Sequence, residues 1–248
     1  MRVTEVLPAT LEHVDVGTTE GRDWLRSRYP WDGGPGFVRL NMVTSLTGSA
    51  VGADSTSNSI TNRTDRAILK TIRAGADVIL VGAHTIRAEG YFLPSTTPVA
   101  VVTGTGDLGS RPIRGTGQLL VITPVGVPLP SLAEQFPPDG PALPTRSVQH
   151  IELPEPHGSP DATLVPEQIL HALAERGLCR VVCEGGPRLA SAFAASNLID
   201  EYCVTVSPTL TPRIGPFLEL SETPDTELSG ALIDETGFSY LRLRPRQR

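Results

Sequence analysis

The stretch Cys179-Arg180-Val181-Val182-Cys183-Glu184-Gly185-Gly186-Pro187-Arg188-Leu189-Ala190 joins a short β-branched run to two glycines and then to a segment rich in alanine. The apolar run has the composition of a strand covered on both faces. Pro187 suits the first turn of a helix, where an amide has no intrahelical acceptor and its loss is harmless. Glycines at such a junction let a phosphate approach the backbone, while the unpaired amides and the helix dipole favour its negative charge. Open α/β sheets place ligands at the carboxyl ends of their strands, so the junction reads as an anion cradle. A tight turn without a ligand is the competing reading. Glu184 weighs against it, because a carboxylate at a strand end is costly to bury alone and natural beside a polar ligand.

The segments around this junction repeat the pattern. Phe37 to Val43 has strand composition, and Ser45 to Ser59 is a loop rich in Gly, Ser and Thr. Thr61 or Asn62 caps a helix near 63–75, with Ala67, Ile68, Ile72 and Ala76 at helical spacing. The apolar run Asp77 to Gly82 is a second buried strand. Further strands are expected near 98–103, 118–123, 147–152, 179–183 and 201–207, with helices near 166–176 and 187–196. Repeated strand–helix units predict an α/β domain with a largely parallel central sheet flanked by helices. Residues 124–144 hold seven prolines and are expected to form a long loop around a short helix near 130–136. The run Phe238 to Pro245 reads as a closing strand whose Tyr240, Arg242 and Arg244 side is solvated. Residues 1–36 read as a polar N-terminal extension ending in the turn-rich Pro30 to Gly36, and the domain is expected to occupy 37–248.

Composition narrows the function. The 248 residues carry 21 Lys plus Arg against 27 Asp plus Glu, a formal charge of −6 that repels a phosphate backbone, so no nucleic-acid partner is expected. No stretch approaches the ~20 apolar residues of a membrane helix, and the start lacks a signal peptide's apolar run. A cytoplasmic protein with no membrane partner is expected. In an extended strand Cys179 and Cys183 would stand ~13 Å apart, too far to bridge, so the thiols read as buried apolar groups in a reducing compartment. The five histidines show no ligand spacing, and no metal is expected.

Two weaker signals accompany the cradle. Gly104-Thr105-Gly106-Asp107-Leu108-Gly109 is a literal G-x-G-x-x-G, but Pro112 and Gly115 follow where a dinucleotide fingerprint needs a helix. A classical Rossmann site is rejected, although Arg111 and Arg114 stand where an additional phosphate would meet them. The run Val81 to Tyr91 again passes from strand to glycine to polar residues. Thr85 and Glu89 share one face of any helical turn after Gly82, and His84 has no partner nearby in sequence.

Taken in order, Asn41-Met42-Val43-Thr44-Ser45-Leu46-Thr47-Gly48, Ile60-Thr61 with Arg66, Ile72-Arg73-Ala74, Val81 to Tyr91, Glu184-Gly185-Gly186-Pro187 and Leu198 to Tyr202 resemble the pyrimidine-reductase domain of riboflavin biosynthesis. The resemblance spans about residues 37–245. It implies a dihydrofolate reductase-like fold, a homodimer, and NADPH as the cofactor that reduces a phosphorylated ribosylamino-pyrimidine to its ribityl form. By motif position it places the cofactor at Val43, Ser59, Thr85, Glu89, Gly104, Gly186, Pro187, Arg188, Leu189 and Ala190. It places a small heterocyclic substrate at Ser45, Ser57, Arg73 and Glu184, with Glu184, Arg73 and Ser45 as the candidate catalytic residues.

The sequence departs from the family at two points. The usual S-L-D-G-K is Ser45-Leu46-Thr47-Gly48-Ser49, which loses an acid and a lysine, and Thr96 stands where a phosphate-clamping arginine is expected. A zinc deaminase domain, which combines H-x-E with P-C-x-x-C, is not expected in this sequence. Two other readings therefore stay open: a reductase of dihydrofolate or another small carbonyl or imine, and a non-catalytic NADP-binding protein.

Overall fold

The computed structural model describes residues 1–111, 113–129, 148–154, 164–212 and 215–246. The chain opens with β1 (Arg2–Leu7), β2 (His13–Asp15) and α1 (Thr19–Arg28). There follow β3 (Val38–Ser45), a short 3-10 turn (Ser57–Ile60), α2 (Arg63–Gly75), β4 (Val78–Gly82), α3 (Ala83–Glu89) and β5 (Tyr91–Leu93). Next come β6 (Val99–Val102), β7 (Ile113–Gly115), β8 (Leu119–Pro124) and β9 (Val148–Leu153). The last elements are α4 (Pro166–Ala174), β10 (Val181–Cys183), α5 (Pro187–Ala195), β11 (Glu201–Ser207), β12 (Thr226–Asp234) and β13 (Ser239–Pro245).

One sheet runs β2-β1-β12-β13-β11-β3-β10-β4-β6-β8-β9, and β5 pairs with β7 apart from it. From β11 to β9 every neighbouring pair is parallel. From β11 through β13, β12 and β1 to β2 the pairs are antiparallel. The parallel strands bury both faces, as their unbroken apolar runs predict. Val38, Leu40, Leu80 and Cys183 point to one face with Ile169 of α4 and Phe193 of α5. Ile79, Val81 and Val182 point to the other with Leu25 of α1, Ile68 and Ile72 of α2 and Ile86 of α3. Asn62 caps α2 as expected, its side chain accepting from the Asp65 amide. The parallel alignment puts the carboxyl ends of β3, β4, β6, β10 and β11 on one edge of the molecule, and that edge carries the sequence motifs.

Two expectations give way. Residues 1–36 are built into the domain: β1 pairs with β12, and α1 packs on α2. Arg39 of β3 anchors the turn that closes them, donating to the Pro30 carbonyl at 2.7 Å and lying 4.5 Å from the Trp31 ring. The arginine side of β13 is not a wet face either. Glu201 of β11 is wholly buried, and it draws in Arg39 at 2.6 Å, Arg242 at 3.0 Å and Arg244 at 3.0 Å. A carboxylate withdrawn from water needs such partners, and no local sequence rule reveals that Glu201 lies beneath β13. The helix expected near 130–136 lies outside the described residues.

Candidate active site

The strand-to-helix junction after β10 is continuous with β4. The Glu184 amide donates to the Leu80 carbonyl at 2.9 Å and the Gly82 amide donates to the Gly185 carbonyl at 2.6 Å. Gly185 has φ +80°, a conformation that glycine adopts without penalty, and a Cβ there would lie 2.9 Å from the Met42 Sδ. Gly186 is the N-cap of α5 and Pro187 its first residue. The amides of Gly186, Arg188 and Leu189 have no hydrogen-bond partner among the described residues, whereas Ala190 already donates to the Gly186 carbonyl at 3.1 Å. Leu189 and Ala190 are buried in the core. Of the residues expected at the cradle, Ala190 therefore has no amide to offer, Pro187 has none by nature, and Leu189 offers backbone alone. A Cβ on Gly186 would sit 3.2 Å from the Thr85 hydroxyl of α3, which would have to shift, whereas one on Gly104 would meet nothing within 4 Å, so Gly104 leaves its backbone open. The free amides at the start of α5 fit a phosphate group.

Beside it lies the strongest polar contact of the region. Arg73, at the end of α2, grips Glu184 through two bonds, Nε to Oε1 and Nη2 to Oε2, each 2.6 Å. The pair is only partly accessible, Arg73 24% and Glu184 10% exposed. Burial works against the charge on Arg73, but the Glu184 carboxylate outweighs it and holds the guanidinium above its ordinary value. The Tyr91 hydroxyl completes the group, accepting from Arg73 Nη2 at 3.0 Å and donating to Glu184 Oε2 at 2.9 Å. Burial, then the Glu184 charge, push the Tyr91 phenol well above its usual value, so it stays a neutral donor.

The remaining expected residues form two hydrogen-bonded loops. Ser45 is buried, and its hydroxyl accepts from the Ser49 amide at 3.1 Å and from the Thr211 hydroxyl at 2.9 Å. Ser57 donates its amide to Glu89 at 2.7 Å, so a residue expected at the substrate and one expected at the cofactor bind each other. Ser59 donates to Asp54 at 2.5 Å. Val43 lies half-buried on β3.

Sequence reasoning missed three groups here. Tyr91 stood inside a quoted motif but only as its end. Asp65 is buried with the Thr205 hydroxyl 2.6 Å away; burial lifts its carboxyl above the ordinary value despite the Thr205 and Thr61 hydrogen bonds. Asn41 of β3, beside Cys203 in the β11 register, is half-buried and its amide group has no hydrogen bond among the described residues. Cys183 is a buried thiol pushed up to about 12 by desolvation. No cluster of His, Cys, Asp or Glu able to hold a metal is found among the described residues, and none of their helices is long and apolar enough to cross a membrane.

A family model described as the RibD C-terminal domain matches residues 36–213. The chain belongs to this family. It is 27% identical over 211 residues to the riboflavin biosynthesis protein RibD of Mycobacterium tuberculosis, covering 85% of this chain and 52% of that protein. The chain thus spans about half the length of the curated relatives it matches. A pyrimidine reductase-like protein from Corynebacterium diphtheriae superposes with a TM-score of 0.67 at 18% identity, covering 90% of this chain and 99% of that one. The deaminase/reductase of Thermotoga maritima, named as a 5-amino-6-(5-phosphoribosylamino)uracil reductase, superposes with a TM-score of 0.64 at 19% identity, covering 86% of this chain and 57% of that one. The α/β class with a largely parallel central sheet flanked by helices, expected from the sequence, is the class observed in this RibD C-terminal domain.

Proposed function

We propose that this RibD C-terminal domain is an NADPH-dependent reductase of a phosphorylated ribosylamino-pyrimidine or a close heterocyclic relative. The observation that carries this reading is the juxtaposition, on one sheet edge, of unpaired backbone amides at Gly186, Arg188 and Leu189 with the Arg73–Glu184 pair. The free amides at the start of α5 and the open backbone of Gly104 fit the phosphates of a dinucleotide, with Thr85 beside Gly186. The chemistry a nicotinamide cofactor supplies there is a hydride. The chain's own part is positioning. Arg73 holds Glu184 in place through its two hydrogen bonds, and Glu184 holds a polar edge of the heterocycle so that its electrophilic carbon is fixed in distance and direction. Ser45 and Ser57 support this by shaping the loops after β3, because their hydroxyl and amide groups are engaged within the protein.

The homodimer is part of the proposal. On the sheet face away from α2, Leu228 is 45% and Ile233 42% exposed, beside half-buried Leu241 and Leu243, an apolar surface that a second copy would cover. A cytoplasmic location accords with three unpaired thiols and an NADPH-consuming reaction.

The test is NADPH consumption by the purified chain with 5-amino-6-(5-phosphoribosylamino)uracil and, separately, with dihydrofolate. Turnover of the first and not the second is expected. Turnover of dihydrofolate alone would move the chain to that substrate class, and tight NADPH binding without reduction of either would make it a non-catalytic binding protein.

A further inference from the structure

Tyr91 belongs to β5, outside the main sheet, yet its hydroxyl reaches the centre of the site. A carboxylate offers about four lone-pair directions on its two oxygens. Three are used: Oε1 accepts from Arg73 Nε, and Oε2 accepts from Arg73 Nη2 and from Tyr91. The donor and acceptor roles of the phenol are fixed by its neighbours. Arg73 has no acceptor, so Tyr91 must accept from it, and its single proton is left for Glu184. The ring lies 5.7 Å from the guanidinium carbon. A bidentate ion pair alone can still slide and rock, whereas a third partner bonded to both members removes that freedom.

We propose that Tyr91 is a positioning residue that locks Glu184 and Arg73 into one arrangement, leaving a single acceptor direction, on Glu184 Oε1, for one N–H or O–H donor of the substrate. The substrate edge read by Glu184 is then a donor edge, such as a ring N–H or an amino group of a heterocycle. This second part rests on the reductase reading above, and the first does not.

The experiment uses the full chain and the variant Tyr91→Phe, which keeps the ring over Arg73 and removes only the hydroxyl. Its first arm needs no substrate: proton–nitrogen spectra follow solvent exchange of the Arg73 Nε–H. Exchange is expected to quicken about ten-fold in Tyr91→Phe with the unfolding temperature little changed. Unchanged exchange would overturn the positioning role. The second arm measures NADPH-linked turnover of 5-amino-6-(5-phosphoribosylamino)uracil. In Tyr91→Phe, KM is expected to rise about ten-fold with kcat within about two-fold, and the rise should shrink below about three-fold in a Glu184→Gln background, because Tyr91 acts through the charge. An equal rise in both backgrounds would overturn action through Glu184. If the wild-type chain turns over none of the probe while exchange still quickens in the variant, the reductase reading fails and the positioning role stands.

Discussion

Gly185 and Gly186 are adjacent and alike in sequence, but the structure assigns them different work, and one added methyl at each separates fold from site. At Gly185 the φ of +80° costs a residue with a Cβ about 1–2 kcal/mol. The new atom also lands 2.9 Å from Met42 Sδ and 3.1 Å from its Cε, in a strand whose side chain is buried. Overpacking of that kind costs about 1–3 kcal/mol, and Met42, unbranched and adaptable, takes the lower part of the range. Gly185→Ala is therefore expected to lose about 2–3 kcal/mol, a fall of about 4–12 °C in Tm for a chain of this size. At Gly186 the φ is −54°, ordinary for any residue, and the only neighbour of a Cβ is the Thr85 hydroxyl at 3.2 Å. Gly186→Ala is expected to keep Tm within about 4 °C, since one adjustable hydroxyl must shift by a few tenths of an ångström. Its Cβ stands at the N-cap beside the free amides of α5, so NADPH affinity should fall about ten-fold or more. The assays are thermal unfolding followed by circular dichroism and NADPH titration by fluorescence. A Gly185→Ala chain as stable as wild type would refute the packing argument, and a Gly186→Ala chain that binds NADPH normally would move the phosphates elsewhere.

Three further outcomes follow from named contacts. Glu201→Gln leaves Arg39, itself wholly buried, without its counter-charge; breaking such a pair costs about 3–5 kcal/mol, and a Tm drop of only about 2 °C would show that Arg242 and Arg244 do not depend on it either. Asp77 accepts from Arg180 Nη2 at 2.7 Å and from the Arg180 amide at 2.8 Å, and these hold its carboxyl below the ordinary 3.8. A depressed carboxyl stabilises the fold above its unfolded value and loses that contribution as pH falls through the folded one. Asp77→Asn should therefore cost about 1 kcal/mol in urea unfolding at neutral pH, discounted for the half-exposed arginine, and progressively less below 3.8; a loss that does not change with pH would exclude the ion pair as its source. NADPH should bind more tightly than NADH, because Arg111 and Arg114 lie exposed on the chain after Gly104, where they can neutralise the additional phosphate, and equal affinities would remove that assignment.

The architecture of the parallel half was legible in the sequence because its signals are local. Buried parallel strands need unbroken apolar runs such as Val78 to Val81, helices need caps such as Asn62, and a strand-to-helix junction that leaves amides free needs glycine followed by a tolerated proline. Those requirements fix Gly186 and Pro187 at a carboxyl edge whatever the rest of the chain does. The partners of charged groups were not legible, since they are chosen by chain segments far apart in sequence. Glu184 finds Arg73, 111 residues away, and Arg39 finds Glu201, 162 residues away. In the antiparallel half the closing strand β13 was legible, but β1 and β12 were not, for the same reason: they acquire their pairing only when the two ends of the chain meet. A carboxylate in sequence announces only that it needs a partner. Which donor satisfies it, and whether any acceptor direction is left for a substrate, is decided by what the tertiary fold brings within hydrogen-bond reach, as Tyr91 shows at Glu184.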